Sequence, residues 1–166
     1  MKLIHFEIPG NPTALKRHRA YRFGCGTRMV DPSAGDKADF LTIAMEHKPD
    51  VPLDVPLHVG ITFVFARPKG HYGTGKNAHL LKPSAPYFMT STPDTDNLTK
   101  FIGDALNGIF WKDDSCIVRL EGLKVYANDH RPRVMITICD AEPTDAQWRD
   151  KVNDRAINSK LNEKVE

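Results

Sequence analysis

The chain has 166 residues, 40% of them hydrophobic and 27% charged, and its formal net charge is +2. This balance is typical of a globular protein with one core. No apolar run approaches the ~20 residues that cross a bilayer, and the N-terminus lacks the form of a secretory signal, so we expect a cytoplasmic protein. The three cysteines lack the spacing of a zinc site.

The first half of the chain contains two segments with strand periodicity and one with helical periodicity. Residues 2–8 alternate apolar and polar side chains, and residues 58–66 do the same. Between them, Asp31-Pro32-Ser33 is typical of a helix start. The apolar residues that follow this start at helical spacing are Ala34, Ala38, Leu41 and Met45.

The second half begins with a long loop over residues 67–93 and continues with the clearest helix of the chain. Its apolar stripe recurs every three or four residues, and Asn107-Gly108 predicts its end. Gly103 inside this helix suggests a close backbone approach. Residues 115–126 and 133–139 predict two strands that form a closing hairpin. The stripe comprises Leu98, Phe101, Ile102, Ala105, Leu106 and Ile109.

These elements predict an α+β fold with helices packed on a mixed β-sheet. We expect one domain over residues 1–158 and a polar tail over residues 159–166. A last helix containing Trp148 and Val152 would start at Thr144.

The glycine-rich segment over residues 70–76 matches the first seven positions of a phosphate-binding P-loop. However, Asn77 replaces the hydroxyl residue that would hold Mg²⁺, and Pro83 leaves too little room for the phosphate-binding helix. We therefore expect no nucleotide cofactor.

Two acidic segments flank the clearest helix. Asp94 and Asp96 precede it and can point the same way in an extended segment, whereas Asp113 and Asp114 follow its end. Lys100 lies one turn beyond Asp96. Mg²⁺ prefers oxygen ligands, typically one or two carboxylates with water and substrate phosphate. Phosphodiester hydrolysis needs an activated water and neutralised phosphoryl charge, which a metal and a lysine supply.

An alternative interpretation assigns these carboxylates to structure alone. Asp94 or Asp96 could cap the helix, and Asp96, Lys100 and Asp104 could form a ladder of ion pairs. Asp113 and Asp114 would then simply form a turn. Under this interpretation the chain is a non-catalytic nucleic-acid-binding module.

The pattern of these segments resembles the core signature of the RusA-type Holliday junction resolvases. The resemblance covers residues 1–140 and is strongest in three motifs. These are Asp94-x-Asp96-Asn97-Leu98-x-Lys100, Asp104-Ala105-Leu106-Asn107-Gly108 and Trp111-Lys112-Asp113-Asp114.

The resemblance implies a metal-dependent endodeoxyribonuclease that acts as a homodimer on four-way DNA, in a bacterial cell or encoded by a phage. Metal-ligand roles would fall on Asp94, Asp96 and Asp114, with Asp113 as their neighbour in the site. Lys100 would be the catalytic lysine. Mg²⁺ is the expected cofactor and Mn²⁺ a substitute; a nuclease that cuts flaps or single strands remains an alternative.

The charge distribution suits this interpretation. Residues 67–93 contain four basic and no acidic residues, whereas residues 94–121 contain six acidic and three basic ones. Cations between the carboxylates and the DNA backbone would make this arrangement favourable. The predicted phosphate contacts, each of which could instead be ordinary solvated surface, are Lys16, Arg17, Arg19, Arg67, Lys69 and Lys76.

Overall fold

The computed structural model describes residues 3–16, 19–24 and 26–141. It contains a mixed four-stranded sheet with two α-helices, so the predicted α+β class and mixed sheet are confirmed. The strands are β1 (Leu3–Pro9), β4 (Leu57–Phe65), β5 (Ile117–Tyr126) and β6 (Arg133–Asp140), and the helices are α1 (Ala34–Ala44) and α2 (Thr95–Leu106). A separate hairpin pairs β2 (Arg19–Phe23) with β3 (Gly26–Val30).

The order of strands in the sheet is β1-β6-β4-β5. β6 runs antiparallel to both β1 and β4, whereas β5 runs parallel to β4. The predicted closing hairpin of β5 and β6 is therefore wrong, because β4 lies between them. The long connection over residues 127–132 crosses the end of β4, which places β5 at the edge of the sheet.

The core lies between one face of this sheet and α2. The predicted stripe of α2 is confirmed, since five of its residues are buried. They pack with alternate residues of the strands, among them Phe6, Val59, Phe63 and Ile136. This burial fixes which face of α2 turns outward and hence where its polar side chains lie.

Helix α1 begins after Ser33 as predicted, but its buried face differs from the predicted one. It buries Phe40 and Ala44, whereas Ala34 and Ala38 are exposed and Met45 lies beyond the helix. The Phe40 ring meets the Phe101 ring of α2 edge to face, with 5.8 Å between centroids. The larger ring decides the orientation because it buries more apolar area than alanine does.

The predicted close backbone approach lies on the strand and not on the helix. A Cβ added at Gly103 would meet no atom within 4 Å, whereas one at Gly122 of β5 would lie 2.8 Å from the methyl carbons of Thr95 and Thr99. Gly122 therefore lets the first turns of α2 lie directly on β5.

The segment between β4 and α2 consists of turns, with short 3₁₀ segments at Lys69–His71 and Gly75–Asn77. Residues after Lys76 thus form a turn in place of the α-helix that a P-loop requires. The predicted helix at residues 144–152 lies outside the described residues. In the part of the chain that the structure describes, no helix is long and apolar enough to cross a membrane.

Candidate active site

The first turns of α2 present Asp94, Asp96 and Lys100 to solvent. Asp94 occupies the N-cap position, yet its side chain makes no capping hydrogen bond. Within the described residues, the three exposed side chains have no hydrogen-bond or ion-pair partner. Neither a cap nor a ladder explains them, because Asp104 pairs with Lys37 of α1 at 3.2 Å and not with Lys100.

A tight turn directly after α2 reverses the chain and leads to Trp111 and Asp114. Gly108 has a φ of +74°, a left-handed conformation that favours glycine, and its N–H donates to the carbonyl oxygen of Trp111 at 2.8 Å. The Trp111 ring is fully buried, and its Nε1–H donates to Oδ1 of Asp114 at 2.9 Å. A core side chain thereby fixes the orientation of an exposed carboxylate.

Asp113 points into the local turn. Its Oδ1 accepts a hydrogen bond from the backbone N–H of Ser115 at 2.9 Å. Hydrogen bonds from the hydroxyl and the backbone N–H of Ser115 lower the pKa of Asp113, so this carboxylate is ionised at neutral pH.

A cavity of about 340 Å³ lies between α2, the sheet and the turn after α2. Lys100, which lies within α2, and Asp114, which follows the turn after the helix, both line it. Its walls are mainly apolar, and Gly103 leaves one of them without a side chain. The remaining lining residues are Val59, Ile61, Thr99, Asp104, Trp111, Ile117 and Leu120.

The four predicted metal-binding aspartates do not form one closed cage. Across residues 3–16, 19–24 and 26–141, no three histidine, cysteine, aspartate or glutamate side chains are grouped so that they could hold a metal ion. The donor chemistry nevertheless fits Mg²⁺, which takes one or two carboxylates and completes its shell with water and substrate phosphate. The exposed carboxylates of Asp94 and Asp96, which have no partner in the described ranges, and the oriented carboxylate of Asp114 have the chemistry of such ligands.

Comparison with known proteins agrees with the acidic motif. The sequence pattern of the family described as Endodeoxyribonuclease RusA matches residues 9–139. The chain belongs to the RusA endodeoxyribonuclease family. It is also 31% identical over 143 residues to a Bacillus subtilis (strain 168) protein named "Uncharacterized protein YqaN", a match that covers 82% of this chain and 96% of that protein.

Family membership confirms the resemblance seen in the sequence and implies an endodeoxyribonuclease activity. The matched region runs from the end of β1 into β6 and includes every part of the candidate site, from the start of α2 to the turn at Asp114.

The basic residues predicted to contact DNA fall into different environments in this family member. Lys69 and Lys76 are exposed and, among the described residues, have no side-chain partner. Lys16 is exposed and pairs with Asp36 at 2.6 Å. Arg17 and the side chain of Arg19 lie outside the described part of the chain.

The Arg67 guanidinium makes hydrogen bonds and a ring contact within the chain. Its guanidinium donates to the carbonyl oxygens of Ala127 at 3.0 Å and Pro86 at 2.7 Å, and to Oδ1 of Asn128 at 2.7 Å. It also lies over the Tyr126 ring, 5.5 Å from the centroid. These contacts anchor the long loop to the connection after β5 and leave few donors for phosphate.

Lys124 of β5 is a positioning residue that the sequence did not reveal. Its ammonium group donates to the carbonyl oxygens of Ser91 at 2.8 Å and Pro93 at 2.7 Å. Pro93 immediately precedes Asp94, and Ser91 lies three residues before it, so Lys124 holds the backbone from which this aspartate projects. A lone lysine in a strand carries no sequence signal for this role, because its partners are backbone atoms about 30 residues away.

Proposed function

We propose that this family member is a Mg²⁺-dependent endodeoxyribonuclease that resolves Holliday junctions, four-way DNA, by paired strand incision as a homodimer. The observation that carries the proposal is the shared cavity of Lys100 and Asp114. Lys100 and the oriented carboxylate of Asp114 border the same opening, Asp94 and Asp96 lie at the start of the helix that carries Lys100, and the family is that of an endodeoxyribonuclease.

Asp94, Asp96 and Asp114 would hold the cation, with Asp113 beside them; Mn²⁺ could replace Mg²⁺. When bound, a divalent cation lowers the pKa of water and offsets the charge of the phosphate. The protein contributes orientation, because the Trp111 indole fixes one oxygen of Asp114 and Lys124 fixes the backbone before Asp94. A hydrogen bond from a neighbouring side chain to a metal-binding carboxylate keeps that carboxylate in its binding geometry.

Lys100 would place the scissile phosphate and stabilise the negative charge that develops on it. Its ammonium is suited to this role because no carboxylate among the described residues neutralises it. Lys69 and Lys76, in a loop without acidic residues, would hold the DNA backbone further away.

Paired incision requires two active sites. One site per subunit would let a homodimer cut two opposed strands of a four-way junction, whereas a monomer would cut one.

A panel of labelled substrates tests this proposal. We expect Mg²⁺-dependent cleavage of a four-way junction on two opposed strands, little cleavage of linear duplex, and complete loss of cleavage in EDTA. Preferential cleavage of flaps or single strands would indicate a different substrate class. Junction binding without cleavage in Mg²⁺ or Mn²⁺ would contradict the nuclease assignment and favour a binding module.

A further inference from the structure

β5 is the edge strand of the sheet, and part of its outer side is open. Toward its C-terminal end, residues 87–89 cover it: Met89 N–H donates to the carbonyl oxygen of Lys124 at 3.1 Å, and Tyr126 N–H donates to that of Tyr87 at 3.0 Å. Before Lys124 no described segment pairs with the outer side. Residues 117–123 therefore form the open strip of β5.

These two hydrogen bonds show in which direction the backbone N–H and C=O groups of the open strip point. Because the groups of Lys124 and Tyr126 face away from β4, alternation along the regular part of the strand makes those of Leu120 and Gly122 face away as well, whereas Val118 lies at a register shift between β4 and β5. Val118 and Leu120 also expose 63% and 52% of their surface. An edge with outward N–H and C=O groups and apolar side chains is a template for pairing with another strand.

The open strip is self-complementary about its middle residue, Leu120. In an antiparallel pair of two copies related by a twofold axis at Leu120, Arg119 of each copy lies opposite Glu121 of the partner subunit. Opposite charges facing each other across strands stabilise a pair, whereas like charges would oppose it. Within one chain, Arg119 and Glu121 already lie side by side at 2.6 Å with about half of each side chain exposed.

We propose that two copies of this chain join along the open strip of β5, in antiparallel register centred on Leu120. Leu120 then pairs with Leu120 of the partner subunit, and Val118 with Gly122 of the partner subunit. The Leu120 pair exchanges two backbone hydrogen bonds, because the polar groups of this residue face outward in both copies. The inference rests on the proposed function in one respect: it names the partner and the surface of that homodimer.

This arrangement joins two four-stranded sheets into one continuous sheet. Leu120 lines the cavity that Lys100 and Asp114 border. The two cavities therefore open on the same face of the joined sheet, on either side of the twofold axis, as paired incision of one DNA junction requires.

Two charge-reversed variants test the interface without DNA. By light scattering we expect the wild type at twice 18.7 kDa. Arg119→Glu and Glu121→Arg should each be at the monomer mass, because every cross-strand pair then has like charges. Mixing them should restore a dimer that contains one copy of each, seen by native mass spectrometry. Arg131→Glu, in the exposed connection after β5, is the matched control and should stay dimeric.

A disulfide experiment tests the register. On mild oxidation, the Leu120→Cys variant should form a disulfide-linked dimer, because a twofold axis at residue 120 brings the substituted positions of the two subunits together. The Val118→Cys variant should not form one. A monomeric wild type, single variants that remain dimeric, or a mixture that remains monomeric would each overturn the inference. Metal-dependent cleavage is measured in a separate assay. A dimer that forms through another surface would therefore overturn this inference and leave the nuclease proposal unaffected.

Discussion

At the scale of single residues, the candidate site depends on side chains that orient others. Asp114 is exposed, yet its Oδ1 is held by the indole of a fully buried tryptophan. The core thus determines the direction of one proposed metal ligand, while the side chains of Asp94 and Asp96 have no partner in the described part of the chain.

Trp111→Phe removes the indole N–H and retains a buried ring. We expect cleavage of a four-way junction to fall about 10- to 100-fold at limiting Mg²⁺, because loss of a hydrogen bond that orients a metal-binding carboxylate weakens metal affinity or activity by this amount. Single-turnover rates over a Mg²⁺ titration measure the effect. Phe110→Leu, which disturbs the neighbouring core without touching Asp114, is the control; an equal loss there would mean that packing alone is responsible.

Arg67 and Lys76 should respond differently to removal. Arg67→Ala should lower the free energy of unfolding by about 2 kcal/mol, because three acceptors lose their donor. Lys76→Ala should leave stability unchanged and reduce the slope of log binding constant against log salt by about 1. Urea unfolding and salt titrations of junction binding separate the two, and a reduced slope for Arg67→Ala with unchanged stability would show that it contacts phosphate.

The acidic residues could be predicted from their spacing, but the roles of Arg67 and Lys124 could not. Asp94, Asp96 and Asp114 stand in a short pattern whose chemistry follows from residue type. The partners of Arg67 and Lys124 are mainly backbone carbonyls, which every residue has, so only the folded chain reveals them.

At the scale of elements, α2 is positioned by its contact with β5. Gly122 permits this contact, because any side chain there would meet the methyl groups of Thr95 and Thr99.

Gly122→Ala should lower the free energy of unfolding by about 1–3 kcal/mol, the typical result of overpacking. Gly103→Ala should raise it by about 1 kcal/mol, because the added methyl group meets no atom and alanine favours a helix. Chemical denaturation of the two variants measures both effects. A Gly122→Ala variant as stable as the wild type would show that α2 can move away from β5 at little cost.

The strands and α2 could be predicted because their periodicity is local. The pairing of strands could not, since β5 and β6 are adjacent in sequence but β4 separates them in the sheet. The prediction of the buried face of α1 was also wrong, because burial of the Phe40 ring removes more apolar surface from water than burial of the predicted alanines would.

At the scale of the whole molecule, the proposed nuclease would combine basic and acidic segments. The loop between β4 and α2 supplies lysines, and the two ends of α2 supply carboxylates. A polyanion can approach these carboxylates closely only when a cation lies between them, which is why the proposed activity depends on a divalent metal.

Asp96→Asn tests this central claim most directly. The substitution retains the size and polarity of the side chain and removes its charge, so the fold and the basic surface should be unaffected. We expect cleavage of a four-way junction in Mg²⁺ to be abolished while the dissociation constant for the same junction stays within about twofold of the wild type. Near-normal cleavage by Asp96→Asn would contradict the account.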